Sequence, residues 1–417
     1  MTAAPRRSIW SRELTLTVKA DTVEGVTFEA DVDAFLSGLR TPPRLLGIGE
    51  PTHGPQEFGY LRNRLLRHLV VERGFRSVAL ESDAVAGFDV DRYVTAGEGT
   101  LDDVLDAGFS HGFGAYPSSR ELIAWLRDWN SGRGPGEQVR FYGFDATTEM
   151  MASPSPRDTL LAVHRYLSNG GAALPYSEEV ITDLVGDDAA WSHPDAMLDA
   201  TVSIGRSAPA RALRLIADEL VIALARHAPA LRASTSPQQF WQMCTVARAA
   251  VSLLRSHFAM ADPGPDRMST MLGVRDALMA ENLEAIAEAE MHRGPTLVFA
   301  HNEHLQRHQS TVSMGPTQAS WWCAGALVAS AARVPYAIIA SDFGTHEAAN
   351  IGAPHAATLQ GWMWSWESDR ILFPVGEIPD GLLARQDVAP QTGCYPVDPG
   401  QLTGVDAIAF IRRLSAS

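Results

Sequence analysis

Glu50 and His53 stand three residues apart in Gly47-Ile-Gly-Glu-Pro-Thr-His-Gly54, just past a short apolar run. A carboxylate bonded to one imidazole nitrogen fixes the tautomer and leaves the other nitrogen free to accept a proton. Pro55 is placed to open a helix, and the positive end of that helix helps keep an imidazole neutral, as a base requires. The competing structural reading is a solvated histidine in a glycine turn. The segment is not a dinucleotide fingerprint, because Thr52 stands where the third glycine belongs.

Phe299-Ala-His-Asn-Glu-His304 carries two further histidines three apart. His301 and His304 can face a common site, be satisfied within the core, or join Glu50 and Glu81 around Zn²⁺ or Mn²⁺. No cysteine or aspartate nearby in sequence completes a metal set, and no metal is expected. Gly108-Phe-Ser-His-Gly112 matches G-x-S-x-G letter for letter. A nucleophile elbow needs a strand before the serine and a helix directly after it. Here a helical pattern (Leu101, Val104, Leu105) precedes and Phe113-Gly-Ala-Tyr-Pro117 follows, so Ser110 is not expected to be a nucleophile. Trp362, Trp364 and Trp366 alternate, which in an extended segment puts three indoles on one side. They read as core or lid packing, or as a wall for a bulky apolar ligand with Trp364 as its contact. Arg62, Arg64 and Arg67 read mainly as a solvated helix face, with Arg62 best placed to reach the His53 loop.

Residues of these types need a frame that brings them together. Apolar runs at 45–49, 77–80, 139–144, 296–300 and 336–340 each end in polar side chains: Glu50, Glu81, Asp145, His301 and Ser341-Asp342. Continuous rather than alternating apolar character marks strands buried on both faces. Helical stripes lie between the early runs, Phe58-Leu61-Leu65-Leu69 and Leu122-Trp125-Leu126-Trp129. The reading is an α/β fold with a mainly parallel sheet flanked by helices, in which ligands bind beyond the carboxyl ends of the strands. Residues 156–292 are rich in Ala, Leu and Arg with helical spacing at 210–233, 238–259 and 266–291. Breaks fall at His193-Pro194, Ser236-Pro237 and Pro263-Gly264-Pro265. This predicts an all-helical subdomain (151–292) inserted between the first part of the core (1–150) and its second part with the C-terminal segment (293–417).

Composition bounds the rest. With 417 residues, 46% hydrophobic and 20% charged, the chain is an ordinary globular protein. A net charge of −15 repels phosphate backbones and anionic lipid, so neither nucleic acid nor membrane is an expected partner. Three cysteines without CxxC spacing read as buried, inert thiols. No signal-peptide pattern follows the two N-terminal arginines, and no apolar run approaches the ~18–20 residues of a membrane span. A cytoplasmic location is expected.

Taken in order, Gly49-Glu-Pro-Thr-His-Gly54, Glu57-Phe58 with Arg62, Gly74-Phe75 before Val78-Ala-Leu-Glu81, Phe141-Tyr-Gly-Phe-Asp145 and His301-Asn-Glu-His304 resemble the erythromycin esterase family. The run Arg275-Asp276, Met279 and Asn282 is similar to that family as well. The resemblance implies an α/β fold with an added helical part and hydrolysis of an ester, with macrolide lactone opening as the named activity. It implies that His53 activates water, with Glu50, Arg62, Glu81, His301 and His304 completing the site and Arg275 and Asp145 beside the substrate. No cofactor is implied. Glu303 departs from the small residue expected between the two histidines. That departure and the tryptophan cluster leave open a natural-product tailoring enzyme that uses the same groups for elimination, cyclisation or acyl transfer. A binding protein is disfavoured, because every titratable motif residue is retained. The expected substrate is a bulky lactone or ester, lying between the sheet's carboxyl edge and the helical insertion.

Overall fold

The structure, a computed structural model, describes residues 28–149, 153–314, 317–366 and 371–415. The expectation about the N-terminal segment lies outside them. Nine strands occur among the described residues: β1 (Leu45–Glu50), β2 (Ser77–Asp83), β3 (Arg140–Asp145), β4 (Thr296–His301), β5 (Gln309–Met314), β6 (Thr317–Trp322), β7 (Tyr336–His346), β8 (Leu372–Pro374) and β9 (Ala407–Leu414). Seven form one sheet in the order β3-β2-β4-β1-β7-β9-β8. All its pairings are parallel except that of the short edge strand β8 with β9. The five apolar runs are five of these strands. β1 and β4 are buried along their whole length, as the absence of alternation implied.

The helix Gln56–Glu72 follows Pro55, whose fixed φ suits a helix entrance. It ends before Gly74, which takes a left-handed φ of 69°. Its stripe Phe58, Leu61, Leu65 and Leu69 is buried in the core on one side of the sheet; burying such a side chain stabilises the fold by about 1.5–3 kcal/mol. Between β3 and β4 the chain is helical, with long helices Ala208–Ser234, Pro237–Met260 and Arg267–Ala289. The Ser207 and Ser236 hydroxyls accept from backbone N–H groups at the starts of the first two, as caps do. Much of this segment packs into an apolar cluster of its own, around Leu160, Leu167, Leu213, Leu220, Phe240 and Leu254.

Three features depart from the sequence reading. β5 and β6 form an antiparallel hairpin that apolar patterning did not reveal. β9 extends the sheet beyond β7, far along the chain from the other strands. The tryptophan run is helical over Leu359–Trp364, not extended. Helical spacing therefore pairs Trp362 with Trp366, ring centroids 5.9 Å apart, and sends Trp364 elsewhere. Cys323 and Cys394 are buried and Cys244 is half-buried, all three as free thiols. No helix among the described residues is long and apolar enough to cross a membrane.

Candidate active site

Strand order sets the layout of the site. Asp145, Glu81, His301 and Glu50 lie at or near the carboxyl ends of β3, β2, β4 and β1, which are adjacent in that order. Glu50 and His301 are register partners. The Asn302 amide bonds the backbone of Ser341 on β7 through both of its atoms, at 2.8 and 3.2 Å. It lies so close over Gly49 that a Cβ there would collide with it. This contact gives the glycine before Glu50 a steric reason.

The loop after β1 turns His53 back onto Glu50. His53 Nδ1–H donates to Glu50 Oε1 at 2.7 Å, which leaves Nε2 facing Glu81 Oε1 at 3.9 Å. Burial opposes a charge on this imidazole, but Glu81 and the Glu50 hydrogen bond outweigh it and raise the His53 pKa above its ordinary value. The sequence reading had the helix end keeping this ring neutral; two flanking carboxylates act in the other direction.

Glu81 is the hub. Its Oε2 accepts from His301 N at 2.7 Å, and its Oε1 accepts from Arg275 Nη2 at 2.9 Å and lies 3.3 Å from His304 Nε2. Burial would raise the carboxyl, but His304, His53 and Arg275 hold it well below the usual range. Arg275 also grips Asp145 through Nε at 2.8 Å and Nη2 at 2.6 Å, a bidentate pair. His304 Nδ1–H donates to Asp276 Oδ1 at 2.9 Å, and Asp276 is held in turn by Trp321 Nε1 and Ala324 N, each at 2.8 Å. Burial works against the His304 imidazolium, yet Asp276 and Glu81 drive its pKa up to about 10. His301 goes the other way. Its Nδ1 accepts from Glu303 N at 3.2 Å, and burial with the neighbouring His53 takes it down to about 3. His301 is accordingly neutral near pH 7.

Arg62 is not on a solvated face. It is buried, donates to Asn63 Oδ1 and Ser118 O, and stacks 4.8 Å from the Phe299 ring centroid. Burial lowers its pKa to about 10, which leaves it cationic at neutral pH. With Glu50, Glu81, Phe113, Tyr116 and Ser118 it lines a cavity of about 30 Å³, room for a water molecule or two. The cavity's walls come from the end of β1, β2, β4, Pro55 with the helix after it and the segment 109–119, and none from the helical stretch expected to wall a cleft. That stretch instead supplies Arg275 and Asp276. Trp364 is not on the cavity wall; it packs over Gly344 and beneath Arg412, whose guanidinium lies 4.3 Å from its ring centroid. Ser110 is buried, accepts from Asp83 N at 3.0 Å and pairs with Ser82, a structural set of contacts.

Sequence reasoning missed His111, which donates from Nε2 to Asp145 Oδ2 at 3.0 Å, and the aromatic cover of Phe113, 5.1 Å from the His53 ring. His111 lay within the G-x-S-x-G match, where the serine drew the comparison. Tyr395, edge-on to His301 at 5.4 Å and tied by its backbone N–H to Pro51 O, had no sequence signal.

Comparison with known proteins places the chain in a family and a fold. The chain is 31% identical over 103 residues to erythromycin esterase type II of Escherichia coli, a stretch covering 24% of this chain and only 23% of that protein. Three solved structures share the fold. A Bacillus cereus protein is 19% identical, with a TM-score of 0.64 over 89% of both chains. A mutant erythromycin esterase in its open conformation is 18% identical, with a TM-score of 0.64 over 91% of this chain and 93% of that one. A succinoglycan biosynthesis protein is 14% identical, with a TM-score of 0.61 over 92% and 90%. A model of the family described as erythromycin esterase matches residues 70–386, beginning after the Glu50–His53 loop. The chain belongs to the erythromycin esterase family.

Proposed function

We propose that the protein hydrolyses a carboxylic ester, a lactone of a bulky macrolide- or polyketide-like molecule, by water activated at His53. The observation that carries this reading is the Glu50–His53 pair, whose Nε2 opens toward Glu81 across 3.9 Å beside a water-sized cavity. A water between Nε2 and Glu81 is oriented by the carboxylate and gives its proton to the imidazole as it adds to the carbonyl. Arg62, cationic and on the same cavity wall, receives the charge that develops on the carbonyl oxygen, worth about 3–4 kcal/mol for a good donor. His304, bonded to Asp276 and raised to about 10, is a fixed charge that holds Glu81 ionised and is a poor proton donor near neutrality. The leaving alkoxide then takes its proton from the His53 imidazolium.

The proposed mechanism calls on no metal: His53 Nε2 is the base, and Glu81 is bound by Arg275 Nη2 and His301 N. A bulky substrate fits the naming of the Escherichia coli relative, and most of it must lie outside so small a cavity, against the segment 109–119. Mass spectrometry of a lactone panel, with and without a chelator, tests the reading. The expected result is a gain of one water in either condition, with His53→Ala slower by about 10²–10⁴. A product without added water, activity lost with a stoichiometric metal, or a near-native kcat in His53→Ala would overturn it.

A further inference from the structure

We propose that His111 is a positioning residue for this hydrolysis, acting on His53 by two routes that meet at its imidazole. One route is polar. His111 Nε2–H donates to Asp145 Oδ2 at 3.0 Å, the oxygen that also accepts from Arg275 Nη2, and that nitrogen reaches Glu81 Oε1 at 2.9 Å. The other is aromatic. The His111 ring lies 5.5 Å from Phe113, which covers His53 at 5.1 Å and meets Tyr116 at 5.5 Å.

The backbone supports a positioning role. His111 takes a left-handed φ of 59°, unusual for a residue with a side chain, and Gly112 follows at 71°. The His111 backbone N–H is tied to Glu149 Oε2 at 2.8 Å. On either side the segment presses onto the helix Leu101–Ala107: a Cβ at Gly108 would collide with Val104 O, and one at Gly114 with Leu105 O. A chain held at both ends and turned at His111 delivers one buried imidazole to Asp145 and one phenyl ring to His53. With the donor lost, Asp145 keeps only Arg275 and the Ala146 N–H, and Arg275 is drawn from Glu81. The freed Glu81 charge then favours the His53 imidazolium. The charged and titratable groups facing His53 are Glu50, Glu81, His301 and His304; of these, Glu81 is joined to His111 by this route, and so is His304, whose Nε2 lies 3.4 Å from Arg275 Nη1.

The inference rests on His53 as the base, but its first readout needs no substrate: the imidazole titration of His53, followed by NMR in the full chain. Three variants separate the routes. His111→Gln keeps an N–H donor for Asp145, His111→Phe keeps the ring without the donor, and His111→Gly keeps only the backbone conformation. The expected pattern is a near-native His111→Gln, and a His53 titration moved to higher pH in His111→Phe and His111→Gly. Their kcat on any hydrolysed ester falls on the order of tenfold to a hundredfold with little change in KM. A His53 titration unmoved in a folded His111→Phe, or a His111→Gln as impaired as His111→Phe, overturns the proposal. Failure of the wild type to hydrolyse any ester would overturn the function reading while leaving the titration test intact.

Discussion

His301 and His304 leave the same strand end three residues apart, and both are 7% exposed, yet one is held neutral and the other charged. The difference lies in their Nδ1 partners. His304 meets the carboxylate of Asp276, whose oxygens are fixed by Trp321 and Ala324. His301 meets only a backbone N–H, which takes its lone pair and leaves burial to decide. Equal burial with unequal partners thus gives opposite charges, and a histidine's exposure by itself says nothing about its protonation.

The largest test of that comparison removes the charged member. His304→Gln leaves Asp276 and Glu81 without their shared cation, a loss of about 3–5 kcal/mol for a broken buried pair. The pH dependence is more diagnostic than the size. The raised pKa of His304 gives stability that is complete below pH 6.5 and is lost as pH climbs toward about 10. The depressed pKa of His301 gives stability that is complete above pH 6.5 and is lost as pH falls toward about 3. Each limb has a slope of up to about 1.4 kcal/mol per pH unit. Denaturant unfolding across this range should show the alkaline limb flattened in His304→Gln and the acid limb flattened in His301→Gln. The reverse assignment would break the comparison.

A smaller effect is expected from Glu81→Gln, since this carboxylate raises both His53 and His304. The base must be neutral to work, so a lower His53 pKa moves the acid limb of kcat/KM down by about one pH unit, even as the maximum rate falls. An acid limb that stays in place would show that another group titrates there. The smallest catalytic change belongs to Ser110→Ala. It frees the Asp83 N–H at a cost of about 1 kcal/mol in stability, and should leave both histidine titrations and most of the activity unaltered. Labelling of Ser110 by a serine-directed phosphonate would contradict that.

Most of the strand framework was legible because strands covered on both faces cannot alternate, so 45–49, 77–80, 139–144, 296–300 and 336–340 stood out as unbroken apolar runs. β9 was obscured by the irregular, Pro- and Gly-rich chain before it. The hairpin β5–β6, polar along much of one face, offered no apolar run at all. The tryptophans misled because a period of two and a short helix share the same letters, and only the chain's path separates Trp364 from Trp362 and Trp366.

For the site, the sequence by itself determined which reactive side chains end up near the strand ends: each directly follows or terminates an apolar run, a local relation. It also determined the Glu50–His53 pair, because three residues of loop suffice to bring the two together. Strand order was beyond it, and strand order is what sets β4 between β1 and β2 and makes Glu81 the common neighbour of His53, His301, His304 and Arg275. Asp276 for His304, and Asp145 shared between Arg275 and His111, come from parts of the chain 28 to 130 residues apart. Protonation followed from those distant partners. A charge is felt through space over a few ångströms of low-dielectric interior, and separation along the chain has no bearing on that distance.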